Sequence, residues 1–282
     1  MTEFTTSDGI RVFYKLTGRG PRRLYVCVGG PAGDHRYLAE DLAPLEDEFE
    51  LVHHDYRGSG QSASAPAATY TWDRIADDLD ELRHELGDDT INLLGHSMGG
   101  FIAQTYVLRY PERCDRLVLA GTYATTNPRV FMGPTLRALG WARILKMLGR
   151  GAWWLVAYSW RRPSITRTRR LFAIWGTTQE GHRAVRAKEI AREERLGLPL
   201  QNDNVPALQR LFRALDFTAR LPKIRCSALV IYGDRDAMAV SAAKLFRDGL
   251  PNAEIVALPG IGHDPFFEAP SEALDAVRKF LS

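Results

Sequence analysis

Short apolar runs and longer amphipathic stretches alternate along the first part of the chain. Residues 24–28, 49–54, 91–94 and 116–120 are brief and read as strands, 24–28 an apolar run with β-branched positions and 91–94 and 116–120 buried. Residues 37–45 and 72–86 read as helices; in the second, Ile75, Leu79, Leu82 and Leu86 fall at helical spacing. Residues 4–6 and 11–16 are strand-like and flank Ser7-Asp8-Gly9, a turn signal. Residues 101–110, without Gly or Pro, predict another helix. The pattern breaks at Gly121. Residues 122–220 show helical segments, including 134–148 and 179–196, and no clear strand. A strand at 227–232, a helix at 241–250, a strand at 253–258 and a last helix from about Pro270 follow. This alternation predicts an α/β fold with a mainly parallel sheet and helices on both faces. Residues 1–121 and 221–282 would form its core, and 122–220 an inserted helical lobe.

Composition sharpens the division. The chain has 282 residues, 45% hydrophobic and 25% charged, enough for one large globular unit with a substantial core. Its net charge of +3 hides an asymmetry: residues 122–220 carry 16 Arg and 2 Lys against 6 acidic residues, a balance of +12 that leaves about −9 elsewhere. Trp141, Trp153, Trp154, Trp160 and Trp175 lie in the same stretch. A helical lobe over the C-terminal edge of the sheet would act as a lid that excludes water and shapes a cavity. Its cluster of Arg161, Arg162, Arg167, Arg169 and Arg170 has three readings. It is a solvated outer face, a surface for an acidic carrier protein or anionic lipid, or, through one inward Arg, a hold on a substrate carboxylate. No recognition motif accompanies the charge, which excludes nucleic acid. The start of the chain has no basic segment leading into an apolar run, and the longest apolar stretch, 152–158, is too short to cross a bilayer. Cys27, Cys114 and Cys226 are scattered and read as reduced packing residues, without disulfide or metal spacing. A cytoplasmic protein that is not transmembrane is expected.

The chemistry concentrates at Leu93-Leu94-Gly95-His96-Ser97-Met98-Gly99-Gly100. A predicted strand runs straight into a predicted helix through Gly-x-Ser-x-Gly. A turn that tight forces its central residue into a strained conformation and lifts the Ser97 hydroxyl above the sheet, at a helix N-terminus. Gly95 and Gly99 are required because side chains there would collide. After the strand at 24–28, Gly29-Gly30-Pro31-Ala32-Gly33-Asp34-His35 lets the backbone approach a ligand with its N–H groups free. Gly30 and Met98, the residue after the serine, are the candidate oxyanion donors.

A serine nucleophile needs a base and an acid to orient it. Among seven histidines, at 35, 53, 54, 84, 96, 182 and 263, only His263 sits in a Gly-rich loop just after the last predicted strand. Asp236 lies three residues past Gly233, far enough from the strand end to reach His263, whereas Asp234 is better placed to tie the turn. Asp264 would point away from the ring of its neighbour. Asp55 and Arg57, in the Gly-rich turn after residues 49–54, read as residues that lock that loop. The order Ser97, Asp236, His263, each in a loop after a strand, predicts a hydrolytic triad. No metal or organic cofactor is implied.

Gly95-His96-Ser97-Met98-Gly99, Gly29-Gly30-Pro31, the run from Gly233 to Asp236 and Gly262-His263 together resemble the α/β-hydrolase superfamily over the core. More closely, Gly29-Gly30-Pro31-Ala32-Gly33-Asp34-His35 with Asp55-Tyr56-Arg57-Gly58-Ser59-Gly60-Gln61-Ser62 is similar to the proline iminopeptidase branch. That resemblance implies release of an N-terminal residue from a small peptide or amide. In that branch the motifs usually read His-Gly-Gly-Pro-Gly and Asp-Gln-Arg-Gly-x-Gly-x-Ser. Here Val28, Ala32 and Tyr56 replace His, Gly and Gln, and the elbow is of the general esterase and lipase type. The expected activity is hydrolysis of a small, largely apolar ester, thioester or amide through an acyl-enzyme. An aminopeptidase is the specific reading; a carbon–carbon bond hydrolase, lactonase or esterase with the same triad is the alternative. A non-catalytic ligand receptor would not need all three groups in register. An aminopeptidase also needs carboxylates for the substrate ammonium, and the lid offers Glu180, Glu189, Glu193, Glu194, Asp203 and Asp216.

Overall fold

The computed structural model describes residues 2–30, 33–127, 188, 191–192, 194–197, 205–212 and 215–282. The strands are β1 (Thr2–Thr5), β2 (Arg11–Thr17), β3 (Arg22–Cys27), β4 (Phe49–His54), β5 (Ile91–His96), β6 (Cys114–Ala120), β7 (Ser227–Gly233) and β8 (Ala253–Leu258). They form one sheet in the order β1-β2-β4-β3-β5-β6-β7-β8. β1 pairs with β2 and β2 with β4 antiparallel, and every pair from β4 to β8 is parallel. Leu24, Tyr25, Val26, Cys27, Leu93, Leu94, Leu117, Val118, Leu119 and Ala120 are all fully buried. These central strands are covered on both faces, which is why their sequence lacks polar alternation.

The described helices are α1 (Arg36–Leu42), α2 (Trp72–Glu85), α3 (Met98–Arg109), α4 (Val205–Phe212), α5 (Ala237–Gly249), α6 (Pro265–Glu268) and α7 (Pro270–Leu281). In α2 the Thr71 hydroxyl accepts from the N–H of Arg74, Asp73 stands in the first turn, and Arg83 and His84 stand in the last, each favourable to the helix dipole. Burial of Ile75, Leu79 and Leu82 contributes about 2 kcal/mol apiece against about 1 kcal/mol for the cap, so packing decides the helix. Two boundaries differ from the sequence expectation. α1 gives way at Ala43 to a 3₁₀ turn, Ala43–Leu45, because Pro44 has no N–H to continue the α-helical ladder. α5 begins at Ala237 rather than 241 because the Asp236 carboxylate accepts from the N–H groups of Met238 and Ala239, at 3.0 and 3.1 Å.

The connection from β6 to β7 leaves and rejoins the sheet at neighbouring strands. It is closed near its base by a bridge between Thr125 and Asp216, with Thr126 N–H donating to Leu215 and Phe217 N–H to Ala124. The expected helix at 134–148, most of that at 179–196, the five tryptophans and the arginines at 161–170 lie outside the described residues. Among the described residues no helix is long and apolar enough to cross a membrane.

The loop after β4 is fixed by buried charge. Arg57, fully buried, donates to both oxygens of Asp78 on α2 at 2.6 Å and to both oxygens of Asp8 in the β1–β2 turn at 2.9 and 3.0 Å. Asp55, also fully buried, accepts from the N–H of His35 at 2.7 Å and of Gln61 at 2.8 Å. It thereby ties this turn to the loop after β3. The pair acts as a lock.

β4 also carries an acid-sensitive element. His53 and His54 are 0% and 3% exposed, and neither ring nitrogen of His53 has a hydrogen-bond partner among the described residues. Burial, reinforced by the charges of His35, Lys15 and His54, pulls His53 down to about 3. Burial also pulls His54 down to about 4, against the opposing charge of Asp55. Below the ordinary value of 6.5 the unfolded chain therefore takes up protons that the folded chain refuses, and stability falls as pH falls. The loss runs from about pH 6.5 to about pH 4 for His54 and to about pH 3 for His53, at up to about 1.4 kcal/mol per pH unit for each histidine. Guanidinium unfolding midpoints across this range should show it, and His53→Leu should roughly halve the slope; a midpoint flat from neutral pH to about pH 5 would contradict the assignment.

Candidate active site

Ser97 ends β5 and opens α3 with φ 53° and ψ −118°, and it is the one non-glycine residue with positive φ among the described residues. A side chain in that region costs about 1–3 kcal/mol unless its surroundings hold it. Here they do: Ser97 N–H donates to the carbonyl of Ala120 at 2.9 Å, and Thr122 Oγ1 donates to the Ser97 carbonyl at 2.7 Å. Close packing of the elbow explains its glycines. A Cβ on Gly95 would lie 2.6 Å from the Gly99 carbonyl oxygen, and one on Gly99 would run into the carbonyls of Cys27 and Val28.

The loops after β5, β7 and β8 bring Ser97, Asp236 and His263 together. Ser97 Oγ lies 2.9 Å from His263 Nε2, and His263 Nδ1 lies 2.6 Å from Asp236 Oδ2. With Nδ1–H donating to the carboxylate, Nε2 is left as the acceptor for the serine proton. Asp236 is buried. Burial pushes its carboxyl up, but the hydrogen bond and charge of His263 and the N–H groups of Ala239 and Met238 outweigh this, so its value falls below the usual carboxylate range. Asp234 turns elsewhere: its Oδ1 accepts from the N–H of Gly260 at 2.8 Å.

The loop after β3 passes over the serine. A Cβ on Gly29 would come within 3.2 Å of Ser97 Cβ and 3.3 Å of His96 Nδ1. Gly30 follows it, half-buried, and Pro31 and Ala32 lie outside the described residues. Met98 is buried in the first turn of α3, where backbone N–H groups have no intrahelical acceptor. Tyr56, fully enclosed, donates its hydroxyl to the Val28 carbonyl at 2.9 Å and so fixes the strand end that leads into this loop.

Tyr123 is a site residue that sequence reasoning missed. Its hydroxyl lies 3.2 Å from His263 Nδ1 and also bonds the Asp236 carboxylate, and its ring stacks on the imidazole at a centroid distance of 6.0 Å. Burial, then the Asp236 charge, pushes its phenol well up, so it remains a donor. The available signal was position: Tyr123 leaves β6 at the same sheet edge as the serine. His96 is fully buried, with Nε2 at 3.2 Å from the His263 carbonyl and Nδ1 at 3.3 Å from the Tyr37 hydroxyl. Burial lowers its value despite the nearby Asp264, so it packs as a neutral ring. His84 is exposed on α2, and His182 lies outside the described residues.

A second cluster tests for metal. Asp34, His35 and Asp55 bring ligand-type atoms within 4.8 Å of one another. Arg36 already takes both Asp34 oxygens, and Asp55 is held by His35 and Gln61. These donors are committed to the loop lock.

Comparison with known proteins follows the same lines. The family model of the alpha/beta hydrolase fold matches residues 23–141. A proline iminopeptidase of Pestalotiopsis fici, PfmaB, is 32% identical over 126 residues, 43% of this chain and 44% of that one. The chain thus spans under half of that relative. A candidate carbamate hydrolase of Rhizobium rhizogenes, RutD, is 26% identical over 93% of this chain and 94% of its own length. The structure of a thermophilic esterase from Thermogutta terrifontis superposes with a TM-score of 0.69 at 28% identity, covering 99% of this chain and 97% of the esterase.

Proposed function

We propose that the chain is an α/β-hydrolase, a serine hydrolase that acts on a small, largely apolar ester, thioester or amide, a reading supported by the family-model match over residues 23–141 and by the likeness to the esterase. The observation that carries this reading is the continuous path from Ser97 Oγ through His263 to Asp236, at 2.9 and 2.6 Å. His263 Nε2 takes the hydroxyl proton as Ser97 attacks the substrate carbonyl. The developing oxyanion is received by the N–H groups of Gly30 and Met98, each donor worth about 3 kcal/mol of transition-state stabilisation. His263 then gives its proton to the leaving group, an acyl-Ser97 remains, and a water activated by the same imidazole releases the acid. Asp236 holds the ring in its Nδ1–H tautomer and stabilises the imidazolium, with Tyr123 steadying both partners. Residues 122–220 act in this reading as the helical lid over the cavity, and the arginines at 161–170 as a surface for an acidic carrier or anionic partner.

The specific activity proposed is that of an aminopeptidase of the proline iminopeptidase type, supported by the Gly29-Gly30-Pro31 and Asp55 to Ser62 motifs and by the likeness to the Pestalotiopsis fici enzyme. An esterase is the second reading. It is favoured by Val28, fully buried and apolar where that branch carries a histidine, and by the likeness to the Thermogutta terrifontis esterase over the full length. A paired assay separates them. One arm uses p-nitrophenyl esters of increasing acyl length, and the other p-nitroanilides of proline and alanine with free amines, with Ser97→Ala as the blank. Turnover of the anilides, abolished by N-acetylating them, is the expected aminopeptidase result. Ester turnover alone would replace that reading with the esterase one, and activity undiminished in Ser97→Ala would remove the serine mechanism.

A further inference from the structure

Behind the imidazole of His263 lies a buried charge cluster that the proposed reaction does not use. Arg192, 7% exposed, reaches across to the core. Its Nη1 bonds Asp41 on α1, and its Nη2 lies 3.8 Å from Asp264 Oδ2. The guanidinium is sandwiched between the rings of Phe267 on α6 and Tyr37 on α1, at 4.3 and 5.2 Å from their centroids. Asp264 is the residue after His263. Its Oδ2 accepts from the Tyr37 hydroxyl at 2.7 Å, and its Oδ1 stands 3.4 Å from His96 Nε2. That same nitrogen lies 3.2 Å from the His263 carbonyl. The peptide that carries the imidazole is thus held on one side by His96 and on the next residue by a carboxylate that Arg192 and Tyr37 clasp.

Such a carboxylate has few stable positions. Asp264 is 5% exposed, and a buried charge without a partner costs several kcal/mol. Removing the guanidinium would drive Asp264 to seek other donors, and His263 is joined to it by a single peptide. A displacement of about 1 Å at a reacting group can cost about 100-fold in rate. We propose that Arg192 is a positioning residue for His263, acting through Asp264 to hold the imidazole in register with Ser97. The inference rests on the reading of His263 as the general base given above. It also accounts for part of the uneven charge of the chain: Arg192, and Arg195 with its bond to Glu40, turn positive charge onto the acidic face of α1.

The test measures the rate of Ser97 labelling by a fluorophosphonate, together with kcat and KM for p-nitrophenyl acetate, in the full chain. Arg192→Ala should slow labelling and lower kcat by about 10- to 100-fold, with KM changed less than about threefold. Millimolar guanidinium should restore part of the rate, and Arg192→Lys, which keeps the charge but not the planar fork, should fall between the two. Arg195→Ala, which removes an exposed pair on the same segment, should stay within about twofold of wild type. Wild-type labelling rates in Arg192→Ala would overturn the proposal, as would an equal loss in Arg195→Ala. Should Arg192→Ala fail to fold, Arg192→Gln and Arg192→Lys carry the decision, and wild-type rates in both would overturn it. A wild-type protein that is not labelled at Ser97 would instead count against the serine-hydrolase reading itself.

Discussion

Replacing Ser97 with alanine should lower turnover of the best substrate by about 10⁵- to 10⁶-fold while leaving the fold intact. The size of the effect follows from the division of labour at the site. In the proposed mechanism His263 and Asp236 can only activate a hydroxyl that is there, and the oxyanion donors alone would retain about 10³-fold catalysis over water. Among the described residues the cysteine on the neighbouring strand is no substitute. Cys27, at the end of β3 opposite Gly95, is fully enclosed, and burial pushes its thiol up to about 12. Alanine keeps the Cβ and hence the backbone strain at φ 53°, so thermal stability should change little. Glycine tells a different story. Ser97→Gly should be equally inactive but more stable by about 1 kcal/mol, because the strained region costs glycine almost nothing. Residual turnover of Ser97→Ala within tenfold of wild type would show that the nucleophile lies elsewhere. A Ser97→Gly protein less stable than Ser97→Ala would show that the elbow is not strained.

Arg57→Ala is expected to cost about 3–5 kcal/mol of stability, a third or more of what a domain commonly has. The reason is the company the guanidinium keeps. Asp78 is 4% exposed and Asp8 is partly buried, and Arg57 binds all four of their oxygens. The hydrogen bond from Arg57 holds the Asp8 carboxyl well below its ordinary range, against the opposing effect of burial. Truncation leaves the buried Asp78 with Arg74 alone, through its Oδ1, strips Asp8 of its guanidinium, and frees the turn after β4 from both α2 and the β1–β2 turn. Urea midpoints read the loss directly, and a shift equivalent to less than about 1 kcal/mol would refute it. The paired variant Arg57→Met with Asp78→Leu should recover more than half of the deficit, since removing both members of a buried pair leaves less charge uncompensated.

The strands and the serine elbow were legible in sequence because each is local. Buried parallel strands announce themselves as apolar runs, and Gly95-His96-Ser97-Met98-Gly99 describes a turn that few other residues can make. Asp236, His263 and the locking role of Asp55 and Arg57 were legible from position relative to strand ends. Tyr123 was not. Its contact with His263 joins residues 140 apart, and its place just after β6 puts it at the right sheet edge without saying which residue it meets there. Tyr56 reads as a departure from a family motif until its hydroxyl is seen on the Val28 carbonyl. The early start of α5 escaped for a related reason. Asp236 serves the histidine with one oxygen and caps the helix with the other, and sequence alone suggested only the first use. The charge imbalance was plain, but which arginines turn inward depends on the acidic face of α1, where Asp41 and Glu40 receive Arg192 and Arg195.

The bridge between Thr125 and Asp216 has an evolutionary corollary. It ties the excursion between β6 and β7 at its root, so the chain beyond it is a loop whose ends are already joined. Doubling the length of such a loop costs only about 0.6 kcal/mol in closure entropy. Insertions and deletions between residues 128 and 187, short of Arg192 and of the buried Leu208, can therefore accumulate with little penalty to the sheet that carries Ser97, Asp236 and His263. Descendants of one ancestral chain can redraw this stretch while inheriting the sheet and its serine elbow unchanged.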